Sequence, residues 1–116
     1  MNENAIQRAV FDHIRSRGVP GLIAFHPMNG GVHQIGRRRG INAGLGVVSG
    51  VSDVIMLHAG KFYALELKRD GKKPTIVQIG FLLRVEAAGG AGAWAAGLDS
   101  ALRQLEKWKL LRGKTA

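Results

Sequence analysis

The chain has no cysteine among its 116 residues, so neither a disulfide framework nor a thiolate metal site is available to it. No apolar run approaches the ~20 residues that a transmembrane helix needs. The segment Met1–Ile14 carries Glu3 and Asp12 and lacks the uninterrupted apolar centre of a secretory signal, so a cytoplasmic protein is expected. Aromatic residues are few. Two Trp, one Tyr and four Phe leave little for a surface on which single-stranded bases stack, and Trp94 and Trp108 read as core or dimer-interface residues. No Gly-Lys-Ser or Gly-Lys-Thr occurs and Gly44-Leu45-Gly46 lacks a third glycine, which removes a phosphate-binding loop. His13, His26, His33 and His58 show no metal-ligand spacing and read as structural or surface residues. Acidic side chains are scarce too: eight Asp and Glu against seventeen Lys and Arg give a net charge of +9. Such an excess favours a polyanionic partner, nucleic acid before an anionic membrane surface.

No internal repeat or linker divides the chain, so residues 1–116 are expected to form one domain. A chain this short buries only about two thirds of the surface of its unfolded form, which makes pairing into a homo-oligomer a natural source of further stability. Asn2 or Asn4 can cap a first helix with Ile6, Ala9, Val10, His13 and Ile14 at helical spacing, ended by Gly18 and Pro20. Leu22–His26 reads as a short strand. Met28–Gly50, rich in glycine and carrying Arg37, Arg38 and Arg39, reads as a mobile loop with little packing. Ser52–His58 and Lys61–Lys68 read as strands joined through Ala59-Gly60, with Val54 and Met56 on one face and Ile55 and Leu57 on the other, so both sides of the sheet should be covered. Arg69–Pro74 is a polar, basic connection. A second helix opens at Thr75 and stops before Gly89-Gly90, Ala93–Ala96 reads as a fourth strand, and a third helix starts at Asp99 or Ser100 with Leu102, Leu105 and Trp108 on one stripe. Helix, three strands, helix, strand, helix implies an α/β fold with a mixed sheet.

A loop of two or four residues centred on Ala59-Gly60 pairs positions whose numbers sum to 119, which sets Asp53 opposite Glu66. Their Cβ atoms would lie ~5 Å apart, an arrangement that destabilises the sheet unless something neutralises it. Period two places Lys68 on the same face. Two carboxylates and an ammonium suit phosphodiester hydrolysis, in which a hard cation on carboxylate oxygen activates water and positive charge meets the developing phosphorane. The competing possibility is that Asp53 is a turn residue and that Glu66 and Lys68 sit at a frayed strand end. A three-residue loop would remove the facing pair altogether.

The run Gly50-Val51-Ser52-Asp53, followed after the hairpin by Glu66-Leu67-Lys68 and then Gln78 early in the next helix, resembles the PD-(D/E)xK nuclease superfamily. More closely it resembles the VRR-Nuc family, the virus-type replication and repair nuclease domain, from Glu3 through Asn29-Gly30-Gly31 to Leu105. The resemblance implies a restriction-endonuclease-like core and a Mg²⁺- or Mn²⁺-dependent endonuclease acting on branched DNA such as a Holliday junction. It includes stand-alone viral members thought of as junction-resolving dimers, which implies a homodimer in a bacterial or phage-infected cell. It also implies that Asp53, Glu66 and the Leu67 backbone carbonyl bind metal, that Lys68 polarises the attacking water and that Gln78 positions it. Glu3 matches an acidic residue that can join the metal shell. Ser52 stands where a proline is usual.

Several of these positions keep a second role. Thr75-x-x-Gln78 is a capping box as well as a catalytic match, and Glu3 is a favourable first-turn charge as well as a metal ligand. Arg37, Arg38 and Arg39, with Lys72 and Lys73, are solvated loop residues or phosphate contacts. Of another class is a non-catalytic nucleic-acid-binding module, in which the basic loops do the work and the acidic cluster is structural.

Overall fold

The structure, a computed structural model, describes residues 1–28 and 44–113. The described residues hold α1 (Glu3–Arg17), β1 (Ile23–Phe25), β2 (Val54–His58), β3 (Lys61–Lys68), α2 (Ile76–Ala87), β4 (Ala91–Ala96) and α3 (Leu98–Lys107). The expected order of elements is the observed one, with bounds that differ by one or two residues at most ends. None of these helices is long and apolar enough to cross a membrane.

The four strands lie in chain order, β1-β2-β3-β4. The first two pairings are antiparallel and β3 pairs with β4 in parallel, so the sheet is mixed. The parallel pairing requires a crossover, which α2 supplies. The hairpin register is Val54↔Leu65 through His58↔Lys61, every pair summing to 119. Its two-residue turn places both Ala59 (φ 49°) and Gly60 (φ 79°) in the left-handed region, the conformation whose twist matches that of the strands it joins.

Each face of the sheet has its own core. On one face Val54, Met56, Tyr63, Leu65 and Leu67 pack against Ile6 and Val10 of α1 and Ala101, Leu102 and Leu105 of α3. The Tyr63 and Trp108 rings are 5.2 Å apart there, which gives Trp108 its expected core role. The C-terminal end of α1 is tied to the chain beyond α3 by Val19 N–H donating to the Leu110 carbonyl (3.0 Å) and by an Arg17–Glu106 ion pair at 2.8 Å. The opposite face is thinner. Ile55 and Ala64 meet Leu82 and Val85 of α2, with Val51 and Phe81 partly buried beside them. Leu57, expected to be covered on this face, is exposed together with its cross-strand neighbours Ile23 and Phe62.

The caps follow from the sequence. Asn2 accepts from the Ala5 N–H at 2.8 Å, and Gly18 ends α1. Thr75 and Gln78 form a reciprocal box: the Gln78 N–H donates to Thr75 Oγ1 (3.2 Å) and the Thr75 N–H donates to Gln78 Oε1 (2.9 Å). Helix α3 begins at Leu98 instead of Asp99 or Ser100, on a Gly97 cap that makes no side-chain hydrogen bond. The arginine triplet Arg37, Arg38, Arg39 and the Asn29-Gly30-Gly31 loop lie outside the described residues.

An L-residue held at the left-handed φ of Ala59 is strained by roughly 1 kcal/mol, and asparagine tolerates that region. Ala59→Asn is therefore expected to stabilise the protein by about 0.5–1 kcal/mol, read as a higher urea midpoint with unchanged slope.

Candidate active site

Three elements converge where β2 begins. Asp53 precedes the first ladder pair of β2 by one residue and continues its register, so it faces Glu66 of β3 across the sheet. Alternation puts Glu66 and Lys68 on the α2 side with Ala64, away from the α1 core. The frayed-end alternative does not hold: Glu66 is 2% and Lys68 9% exposed.

The polar contacts are few. The Leu67 N–H donates to Asp53 Oδ2 at 2.9 Å, and Lys68 Nζ lies 3.5 Å from Glu66 Oε2. Glu66 Oε1 is buried with no donor facing it among the described residues. Because the Lys68 carbonyl accepts from the Gly97 N–H (2.8 Å) on the β4 side, strand alternation turns both the N–H and the carbonyl of Leu67 towards Asp53. Two carboxylates and a backbone carbonyl, all oxygen, thus share one corner.

Burial is the main reason that the Glu66 carboxyl is pushed up to about 8, with the charge of Asp53 adding to it and Lys68 opposing it. Asp53 is raised too, again by burial, against the lowering effect of the Leu67 N–H. A proton can settle such a pair, and so can a divalent cation. The orphaned Glu66 oxygen and the hard-oxygen donor set fit Mg²⁺ or Mn²⁺.

The scaffold behind Asp53 is specific. Gly50 adopts φ 77° and lies against the first turn of α2, where a Cβ would stand 2.5 Å from the Val77 carbonyl oxygen and 2.8 Å from its carbon. The glycine three residues before Asp53 is thus a packing requirement as well as a turn. From the other side His26 Nδ1 lies 2.7 Å from the Asp53 carbonyl oxygen; that oxygen can only accept, so Nδ1 carries the proton. Sequence spacing gave no sign of this role, because the contact spans 27 positions and joins the end of β1 to the start of β2. Ser52, in the usual proline position, is 1% exposed and its hydroxyl has no partner among the described residues.

The other expected site residues are placed differently. Gln78 contributes its Oε1 to the helix cap. Glu3 is half-buried at the start of α1, and no group of three His, Asp or Glu side chains gathers as metal ligands among the described residues, so Glu3 is not brought to the pair. Lys72 and Lys73 are exposed on the connection after Lys68. Trp94, expected in a core or dimer interface, stands on the outer strand β4 in register with Glu66 and is 40% exposed.

An antiparallel hairpin, a crossover helix, a parallel fourth strand and an acidic pair with a lysine at the hairpin's open end define a restriction-endonuclease-like α/β core. The chain aligns with a solved structure described as a VRR_NUC domain protein, with a TM-score of 0.76, 19% identity, and coverage of 95% of this chain and 90% of that one. At that identity the likeness establishes a shared fold, the VRR-Nuc fold expected from the residues. No family model matches the chain, and no match is found among curated proteins.

Gly50→Ala is expected to cost more than about 2 kcal/mol, from a left-handed φ and a backbone clash together, and, if the acidic pair takes a divalent cation, to weaken that binding by moving Asp53. Chemical denaturation and metal titration read the two effects. The pH dependence has a definite sign. Glu66 is raised from 4.5 to about 8, so its contribution to stability is complete below 4.5 and is lost as pH rises through 8. In EDTA, the melting temperature of the wild type should therefore fall between pH 6 and 9 relative to that of Glu66→Gln.

Proposed function

We propose that the chain is a Mg²⁺- or Mn²⁺-dependent DNA endonuclease with Asp53, Glu66 and Lys68 at its active site, acting on branched DNA such as a Holliday junction. One observation carries this reading: a facing carboxylate pair, Glu66 buried and Asp53 half-buried, with an unsatisfied Glu66 oxygen and a lysine ammonium 3.5 Å from Glu66. A structural ion pair has no use for the second carboxylate, whose burial beside the first costs stability.

Asp53, Glu66 and the Leu67 carbonyl would hold the cation. When bound, it supplies a Lewis acid for a phosphate oxygen and lowers the pKa of a water. Lys68, anchored at Glu66, meets that water or a non-bridging phosphate oxygen and offsets charge as it develops. Gln78 keeps Oε1 in its cap, and its Nε2 is the group that positions the water. The net charge of +9 draws the polyanion, with Lys72, Lys73 and the triplet Arg37, Arg38, Arg39 as phosphate contacts. Cutting a junction symmetrically needs two such sites, so the reading includes a homodimer related by a two-fold axis.

The test is cleavage of end-labelled four-way junction, flap, single-stranded and duplex DNA with Mg²⁺, Mn²⁺ or EDTA. Symmetric junction cuts that require metal and fall at least ~100-fold in Glu66→Ala and in Lys68→Ala, with binding kept, are the expected result. Tight binding without a cut on any substrate would overturn it in favour of a non-catalytic binding module. Millimolar Mg²⁺ should also raise the melting temperature of the wild type but not that of Glu66→Ala.

A further inference from the structure

The nuclease reading engages one edge of the site, the β2–β3 pair. On its other side, β3 pairs in parallel with β4, and Glu66↔Trp94 is a register pair. Parallel neighbours in register point to the same face, and strands lie about 4.8 Å apart. Asp53, Glu66 and Trp94 therefore form one row across three strands. A large indole beside a buried carboxylate pair would ordinarily be covered by the adjoining helix. Here the cover is incomplete: α2 lies against one side of Trp94, but β4 is the outermost strand among the described residues and Trp94 stays 40% exposed.

The surroundings of Trp94 are chemically distinctive. It lines a groove of about 390 Å³ with Ser100, Arg103, Gln104 and Lys107, which runs along the free edge of β4 against α3. Both cations are exposed. Arg103 lies 3.3 Å from Ser100 Oγ and has no salt bridge, and Lys107 has none either, among the described residues. The chain's other tryptophan packs on Tyr63. An exposed indole with two uncommitted cations, on a chain of charge +9, is the pairing of ring face and phosphate charge by which proteins hold an unpaired nucleic-acid strand.

We propose that the Trp94 groove binds a single-stranded segment of the DNA substrate, with one unpaired base stacked on the indole and the flanking phosphates on Arg103 and Lys107. The proposal rests on the nuclease reading for its identification of the substrate. Given the Glu66↔Trp94 pairing, Trp94 stands about one strand spacing from Glu66 on the α2 face while Arg103 and Lys107 reach the same edge from α3, so the bound strand passes around the β4 edge beside the acidic site. The groove thereby selects DNA with an unpaired base near the acidic site, because a base held in a duplex stack presents no free face to the ring. Branch points, flaps and frayed ends qualify.

Binding is measured in EDTA, so that it is read without turnover. Trp108→Phe leaves Trp94 as the one fluorophore of its type and keeps a ring against Tyr63. An eight-residue oligo-dT and an oligomer of equal length with abasic sites serve as probes. The oligo-dT should quench Trp94 fluorescence, and the abasic strand should not. In the wild-type background, Trp94→Ala should weaken oligo-dT binding by about 5- to 100-fold, the range that loss of one base stack brings, and Trp94→Phe should retain most of the affinity. The abasic strand should bind Trp94→Ala and wild type alike. Removing Arg103 and Lys107 together should lower the slope of log K against log salt by about 1.4, two phosphates' worth. Equal quenching by the abasic strand, unchanged affinity in Trp94→Ala, or a blunt duplex binding as tightly as oligo-dT would each overturn the proposal. Stacking observed in a protein that cuts no substrate would leave this site standing and remove the nuclease reading alone.

Discussion

Two carboxyl groups that face each other inside a protein are an electrostatic debt that the fold must carry, and most of what is particular about this structure bears on that pair. Asp53 and Glu66 lie on neighbouring strands of one sheet, beside Lys68, with an oxygen of Glu66 facing no donor among the described residues. The lysine does not neutralise both acids; burial and the second carboxylate together outweigh it and hold the Glu66 carboxyl far above its ordinary range. A pair left in that state favours whatever brings positive charge to it. In a small protein with a modest core, such an arrangement persists only where the rest of the molecule fixes the backbone on which it stands.

The backbone is fixed from several sides. The two-residue turn at Ala59-Gly60 locks the register that sets Asp53 against Glu66, at the cost of a strained alanine. Gly50 lets the approach to Asp53 lie directly on the Val77 carbonyl of α2. His26 holds the Asp53 carbonyl, and the Leu67 N–H holds its carboxylate. The Thr75–Gln78 box starts α2 at the height where Gly50 meets it. Four separate segments of chain therefore converge on one aspartate, and a shift in any of them changes the distance between the acids.

Much of this was legible in the residues, for identifiable reasons. Hairpin register depends on the turn and on alternation, both local, so the facing of Asp53 and Glu66 followed from Ala59-Gly60 once the loop length was two or four residues, and the two-residue turn meets that condition. Element order followed from capping residues and periodicity, which are local as well. What escaped was set by distant parts of the chain. The depth at which Glu66 and Lys68 are buried depends on α2 covering the sheet. The grip of His26 on Asp53 spans 27 positions and uses a histidine that ligand spacing could not mark. The scarcity of aromatics suited Trp94 to a core or a dimer interface; strand order put it on the outermost of the described strands rather than in the core, since nothing in its neighbours says which strand is outermost. Gln78 shows the limit from the other side: its capping role is written in its spacing from Thr75 and is what the structure displays, whereas a role towards a substrate is not a property of the chain alone.

The two faces of the sheet divide the tasks of holding and acting. Among the described residues the face towards α1 and α3 carries the larger core, fourteen buried hydrophobic residues, and lends the acidic site only the backbone of Leu67. The face towards α2 has four among the described residues, and the carboxylate pair stands beside them. Stability is thus concentrated where no chemistry is needed, and the raised acids and the orphaned oxygen are gathered where few apolar contacts would be lost if they moved. The same division accounts for the exposed apolar row of Ile23, Leu57 and Phe62, because a single crossover helix set over β3 and β4 cannot also cover β1 and the outer half of β2. Among the described residues α2 is the one helix on that face, so Glu66 is buried while Asp53 towards one margin and Trp94 towards the other stay partly exposed.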